Sequence, residues 1–340
     1  MTRVLFSVVC AFLIVTGPVR GAAPLDRIWF CPGPGSIDYL RLFDHPEEWT
    51  HARKIMSVFK FYAGHTQTPP HPNVGANSYS ALVGVDAFRQ LNRWGKKIAI
   101  EVGAVKEFYC TPDASGMNAA IADTLASVKA VEAAGGTVSY LAMDEPFASG
   151  RAAVCGGPAL EPTADRVALY TSAIRTARPA VQLGLIEAYP FSSEAQIESM
   201  FDLLEARNAK PAFFHLDIDL NAVRQMRIDL TDDLRRLKSA CAARQIPFGV
   251  LIWGYNGDAD ALYALDAGRL LNFVTEAFPS SSDVPDQIIF QSFAVSSTGQ
   301  SITPSNLPES RAYTHTNLLW SFYRRLAGET GPAAGTAISR

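Results

Sequence analysis

The sequence predicts a single-domain α/β protein, a closed barrel of eight parallel strands each followed by a helix. Three observations lead there. Apolar runs of strand length alternate eight times with segments of helical spacing. Most of those runs are apolar at consecutive positions, the pattern of parallel strands covered on both faces. The chain of 340 residues, less an N-terminal segment, has the length of a β/α barrel with modest insertions. An open doubly wound sheet is the competing architecture. It would bring a glycine-rich first turn, and Cys31-Pro32-Gly33-Pro34-Gly35 matches that fingerprint poorly, because its prolines remove or constrain the amides that would cradle a pyrophosphate.

The N-terminal segment has the layout of a secretory signal: Arg3, an apolar run over 4–15, then Gly21, Ala22 and Ala23. The run is shorter than the roughly 20 residues a spanning helix needs. Residues 1–22 are therefore read as a signal peptide, 23–328 as the barrel and 329–340 as a disordered tail, which places the mature protein in the periplasm or outside the cell with no membrane attachment. Strands are expected at 27–31, 56–62, 97–103, 137–144, 181–188, 211–217, 247–254 and 287–293. The clearest helix is 221–244, where Val223, Met226, Leu230, Leu234, Leu237 and Cys241 recur at three- and four-residue steps. Ser193 and Gln196 form a capping box, Thr163 and Asp258 are expected as N-caps, and Gly135-Gly136 ends a helix that begins near Met117. Further helices are expected near Pro46, Tyr79 and Ser310.

Composition narrows the function. At 48% hydrophobic and 19% charged, the chain has enough apolar material for a large core. A net charge of −3 with no Lys/Arg cluster argues against a nucleic-acid partner. Of the five cysteines, Cys10 leaves with the signal. Cys110 and Cys155 follow the third and fourth strands and so lie in neighbouring loops at one barrel end, where an oxidising compartment lets them pair. Cys241 falls on the apolar stripe of its helix, as a buried free thiol.

Barrel enzymes work at the C-terminal ends of their strands. Those ends supply Lys60 and Tyr62 (strand two), Glu101 (three), Asp144-Glu145 (four), Glu187 and Tyr189 (five), His215, Asp217 and Asp219 (six), Trp253, Tyr255 and Asn256 (seven) and Gln291 (eight). Carboxylates thus end four consecutive strands that are otherwise apolar. Acids gathered in a poorly hydrated mouth push their pKa values apart, so that one carboxyl keeps its proton while another is ionised. Cleavage of a glycosidic bond needs such a pair: one acid protonates the leaving oxygen, the other attacks the anomeric carbon or activates water. Aromatic faces beside the acids suit the C–H faces of sugar rings.

One stretch carries a resemblance. Tyr140-Leu141-Ala142-Met143-Asp144-Glu145-Pro146 resembles the fourth strand of the retaining β/α-barrel glycosidases, which ends in Asn-Glu-Pro. The resemblance implies that Glu145 is the acid/base. It departs from the pattern at Asp144 and at the end of strand seven, where the family's nucleophilic Glu is replaced by Trp253-Gly254-Tyr255-Asn256. The second acid is therefore sought in Glu187 first, with Asp144 and Asp217 as alternatives.

The expected function is hydrolysis of a poly- or oligosaccharide by a monomer that needs neither cofactor nor metal. Glu145, Glu187, Asp144 and Asp217 are the candidate catalytic acids. Lys60, Tyr62, Glu101, Tyr189, Asp219, Trp253, Tyr255, Asn256 and Gln291 are the candidate substrate-binding residues, with Lys60–Glu101 open to a structural ion pair and Asp219 to capping a helix. Two other classes stay open: a barrel that binds carbohydrate without turnover, and a metal-dependent phosphodiester or ester hydrolase. The scattered histidines show no spaced ligand cluster for the latter, and no Gly-x-Ser-x-Gly elbow is present.

Overall fold

The computed structural model describes residues 27–111, 113–280, 283–299 and 302–326, so the expected signal peptide and the tail lie outside the described residues. The strands are β1 (Ile28–Cys31), β2 (Val58–Tyr62), β3 (Lys97–Val102), β4 (Val138–Asp144), β5 (Gln182–Tyr189), β6 (Phe214–Ile218), β7 (Phe248–Ile252) and β8 (Gln287–Gln291). They close in sequence order, all parallel, with β8 returning to pair with β1. Around them run α1 (Arg41–Asp44), α2 (Thr50–Ile55), α3 (Tyr79–Gly84), α4 (Ala87–Arg93), α5 (Ser115–Ala133), α6 (Pro146–Gly150), α7 (Leu160–Ala177), α8 (Glu194–Glu205), α9 (Leu220–Met226), α10 (Leu230–Ala243), α11 (Asp260–Ala277) and α12 (His315–Leu326). The eightfold barrel expected from the apolar runs is the observed architecture.

Two apolar layers explain the consecutive apolar residues. One face of each strand, including Phe30, Phe59, Ile100, Leu141, Leu185, Leu216 and Phe290, packs against the helices. The other fills the barrel with Trp29, Val58, Ala99, Tyr140, Ala142, Ile186, Phe213, Leu251 and Ile289. Trp29 is the hub of the barrel floor, its ring 4.9 Å from Tyr140, 5.2 Å from Phe213 and 4.8 Å from His215. His215 accommodates this apolar setting as a neutral ring hydrogen-bonded to Gln287 at 2.7 Å, burial having lowered its pKa to about 3. It fits because its β7 neighbour is Gly249; a Cβ there would come within 2.6 Å of the imidazole.

Local signals hold in part. The Ser193–Gln196 box caps α8 in both directions, and Gly135, at φ +83°, follows the end of α5. The expected helix 221–244 is broken in two: Arg227 adopts φ +56° and Asp229 caps α10 by accepting from the Asp232 amide. Thr163 lies inside α7 rather than at its start, and Asp258 accepts from the Ser297 amide instead of capping α11. Cys110 and Cys155 are disulfide-bonded, while Cys31 and Cys241 are buried free thiols. The disulfide ties the loop after β3 to the loop after β4. No helix among the described residues is long and apolar enough to cross a membrane.

Candidate active site

Which carboxylates face the barrel axis is decided by strand parity, since alternate side chains point to opposite faces. The register pairs Glu101 with Ala142, Asp144 with Ile186, and Asp217 with Ala188. Ala142 and Ile186 belong to the interior layer, so Glu101, Asp144 and Asp217 point inward, as do Lys60, Tyr62, Trp253 and Gln291 two residues beyond Val58, Lys60, Leu251 and Ile289. Three acids from β3, β4 and β6 thus share the mouth.

Glu187 has the opposite parity. It faces α6, fully buried, with its two carboxylate oxygens accepting from the Phe147 amide at 2.8 Å and the Ala148 amide at 3.2 Å. Burial raises its pKa to about 8 despite those amides, with Glu145 adding to the rise. The expected mouth position of Glu187 is corrected by this register: the group pins α6 to the barrel wall. Glu187→Ala should lower unfolding stability by about 2–4 kcal/mol, since two buried amides lose their acceptors. Glu187→Gln, which keeps one acceptor oxygen, should hold kcat within about fivefold. A hundredfold fall in kcat for the Gln variant would return Glu187 to the chemistry.

Tyr189 and Asp219 also lie away from the mouth. Tyr189 points outward and its hydroxyl hydrogen-bonds Asp233 near the start of α10. Asp219 caps α9, accepting from the Asn221 and Ala222 amides at 2.8 and 3.0 Å. Asn256 is occupied in its loop, its amide donating to Asp266 and its side-chain oxygen accepting from the Asp258 amide. Tyr255 stands partly exposed beside it.

The inward groups form two tiers. In the lower, Lys60 Nζ lies 2.5 Å from Glu101 Oε2 and also donates to Gln291, whose Nε2 donates back to Glu101 at 3.1 Å. Burial opposes the Lys60 charge, and Glu101, with Cys31 and Asp144 adding to it, outweighs that cost, so the Lys60 pKa is raised. Cys31 lies close by, its thiol pushed up to about 12 by burial and therefore unreactive. In the upper tier, Tyr62 donates to the Ser292 carbonyl at 2.8 Å, and the Trp253 ring packs 4.5 Å from Phe293.

Lys106, a residue that strand-end reading passes over, organises the acids. Its Nζ is 2.9 Å from Asp144 Oδ2 and 3.1 Å from Glu145 Oε2. It stands in the loop after β3, between Ala104 at φ +37° and the disulfide at Cys110. Glu145 takes the left-handed conformation, φ +47°, which turns the chain from β4 into α6 at Pro146 and lets its amide donate to the Ile186 carbonyl.

The acids are differently placed. Burial and the Glu101 charge raise Asp144 to about 6, against the opposing pull of Lys106 and Lys60. Glu145 is also raised, by burial and by Asp144, with Lys106 opposing. Asp217 is raised well above the ordinary carboxylate range by burial and by Glu145, Asp144 and Glu101. It makes no hydrogen bond or ion pair with any described residue. The mouth therefore presents one acid held beside an ammonium and another whose charged form burial and three neighbouring acids disfavour.

A cavity of about 690 Å³ opens from Glu101, Asp144 and Lys106 and runs across the loops after β1, β2, β3 and β8 to the flank of α5. Among the described residues, three candidate metal-ligand atoms come within 4.8 Å of one another only at exposed His45, Glu47 and Glu48, outside this mouth.

No family model and no curated protein sequence matches the chain. Solved structures do. A glucosidase from Croceicoccus marinus superposes with a TM-score of 0.53 at 13% identity, over 89% of this chain and 68% of that one. An endo-β1,6-glucanase gives 0.56 at 12% identity, over 87% and 74%. GH10 from Paenibacillus barcinonensis gives 0.53 at 11% identity, over 87% and 94%. At these identities the likeness is one of fold: the chain is built on the β/α barrel that these glycoside hydrolases share.

Proposed function

We propose that the protein hydrolyses a glycosidic bond of an oligo- or polysaccharide at the barrel mouth, with Asp217 as proton donor and Asp144 as its ionised partner. The observation that carries this reading is the split between two inward-facing acids: Asp144 sits against Lys106, and Asp217 has no partner among the described residues, its charged form disfavoured by burial and by the three neighbouring acids. Asp217 protonates the departing glycosidic oxygen. Asp144 attacks the anomeric carbon or takes a proton from the attacking water; which of the two is set by the carboxylate separation, about 5–5.5 Å for direct attack and more for water. Glu145, the acid/base implied by sequence resemblance, is assigned instead to holding Lys106 together with Asp144, because it follows the end of β4 in a left-handed turn and is not one of the inward-facing strand residues. Trp253 and Tyr62 shape the site. Gln291, Lys60 and Glu101 brace it from below. The fold shared with glycoside hydrolases supports the reading, and the disulfide and the signal-like N-terminus support action outside the cytoplasm.

The test is reducing-end release by the protein without residues 1–22, on a panel of neutral and charged polysaccharides. Release from at least one polymer, unaffected by chelator, is the expected result. Saturable binding without release would replace hydrolysis by the carbohydrate-binding reading, and loss of release on chelation would replace it by metal-dependent chemistry.

A further inference from the structure

We infer that the cavity beside the acids is a binding subsite for uncharged sugar residues stacked on Phe108, and that it rejects uronic acids. This deepens the hydrolase reading and rests on it only for the identity of the ligand as a saccharide. The first ground is shape. At about 690 Å³ the cavity is of the size that encloses a drug-sized ligand, which for a glycan is a short oligosaccharide. It is continuous with the acids through Glu101 and Asp144, and its lining comes from one side of the mouth, the loops after β1, β2, β3 and β8. A chain cleaved at Asp144 would therefore lay its rings in this direction.

The second ground is the aromatic wall. Phe108 is 68% exposed and lines the cavity, so its ring face is open to a ligand there. It is also held in place. Its ring centroid is 4.6 Å from that of Tyr109, whose hydroxyl donates to Asp123 at 2.6 Å. Both rings lie over Gly103, where a Cβ would come within 3.1 Å of Phe108 and 3.3 Å of Tyr109. Cys110 then fastens the same loop to Cys155. Phe293, backed by Trp253, also lines the cavity, from the loop after β8. A fixed, exposed aromatic face next to hydrogen-bonding groups fits a sugar ring, whose C–H face is apolar and whose rim is polar.

The third ground is charge. Lys106 is the sole lysine or arginine lining the cavity among the described residues, and it is engaged by two carboxylates, Asp144 and Glu145. Lys60 below is engaged by Glu101. Glu101, Asp123 and Asp144 leave the lining with an excess of negative charge. A uronate entering it would meet like charge and, among the described residues lining it, no lysine or arginine free to pair with it, a cost that specificity against it requires.

The experiment is calorimetric titration of wild type, Phe108→Ala and Phe108→Trp with cellohexaose, laminarihexaose, mannohexaose and hexagalacturonate. At least one neutral hexasaccharide should bind wild type, Phe108→Ala should weaken it about tenfold, and Phe108→Trp should hold it near the wild-type affinity. Hexagalacturonate should not bind. Equal binding by Phe108→Ala, binding of hexagalacturonate, or no binding of any neutral hexasaccharide would each overturn the inference. Because Phe108 is exposed, its removal leaves the core intact. Binding that depends on Phe108 but is followed by no release would sink the hydrolase reading and leave the subsite standing; release with Phe108-independent binding would do the reverse.

Discussion

Asp217→Asn should lower kcat by about 10²–10⁴ while the protein stays folded, the loss expected when a positioned general acid is removed. The structure makes this substitution unusually clean. The Asp217 carboxyl has no hydrogen-bond or ion-pair partner among the described residues, so the amide breaks no contact. It also removes a group that Glu101, Asp144 and Glu145 disfavour as an anion. Thermal unfolding should therefore be unchanged or shifted slightly upward, and binding of a neutral oligosaccharide should persist. Asp144→Asn should cost a comparable factor in kcat, whereas Glu145→Gln should cost less than either, because it weakens only one of the two contacts to Lys106. Measuring kcat and the unfolding midpoint of the three variants side by side decides between the two acid assignments. A Glu145→Gln variant that is dead beside an active Asp217→Asn would restore the role that the sequence resemblance implies.

The barrel was legible because its physical cause is written along every strand. Parallel strands buried on both faces must be apolar at successive positions, and Phe59, Ile100, Leu141 and Leu185 on one face with Val58, Ala99, Ala142 and Ile186 on the other leave little polarity to disguise them. The same uniformity hides which way a polar residue points. In β5 the residues Leu183, Leu185 and Ile186 are equally apolar on both sides, so nothing local says that Glu187 faces the helices. Its direction follows from pairing Ile186 with Asp144 across the sheet, a long-range fact; a one-residue slip would have reversed it. Asp217 could be found because it ends a strand with the right parity. Asp219, two residues on, leaves the strand and turns to cap α9. Lys106 was invisible for another reason. It sits in an irregular loop four residues past the end of β3, and no periodicity describes where a loop lysine reaches. The pairing of Cys110 with Cys155 was readable by contrast, since adjacent parallel strands deliver their loops to one place.

Lys106→Met should move the acid limb of the pH–activity profile upward by about 1–3 pH units, the range over which a neighbouring opposite charge shifts a carboxylate. The proposed mechanism requires Asp144 ionised, so activity in the wild type should rise with pH through the Asp144 value of about 6. Five titratable groups face Asp144: Lys106 at 2.9 Å, Glu145 beside it in the chain, Glu101 from β3, Lys60 from β2 and Asp217 from β6, the last as the proton donor of the proposal. Removing Lys106 leaves Lys60 as the remaining cation, already engaged by Glu101, against the carboxylates of Glu101 and Glu145. The proton on Asp144 is then held to higher pH. The sign of the effect follows: activity falls most at pH 6, where the variant is mostly protonated, and recovers as pH rises toward 8. Asp144 is one-third exposed, at 32%, and water screens part of the lost interaction, which favours the lower end of that range. Lys106→Arg keeps the charge and should keep the limb near the wild-type position, with a smaller loss from geometry. A merely structural lysine would lower the unfolding midpoint or kcat at every pH by the same factor and leave the limb where it was. Parallel profiles of kcat/KM for wild type, Met and Arg variants between pH 4 and 9 separate the two cases, and an unmoved limb in Lys106→Met would end the claim that this lysine holds Asp144 in its ionised form.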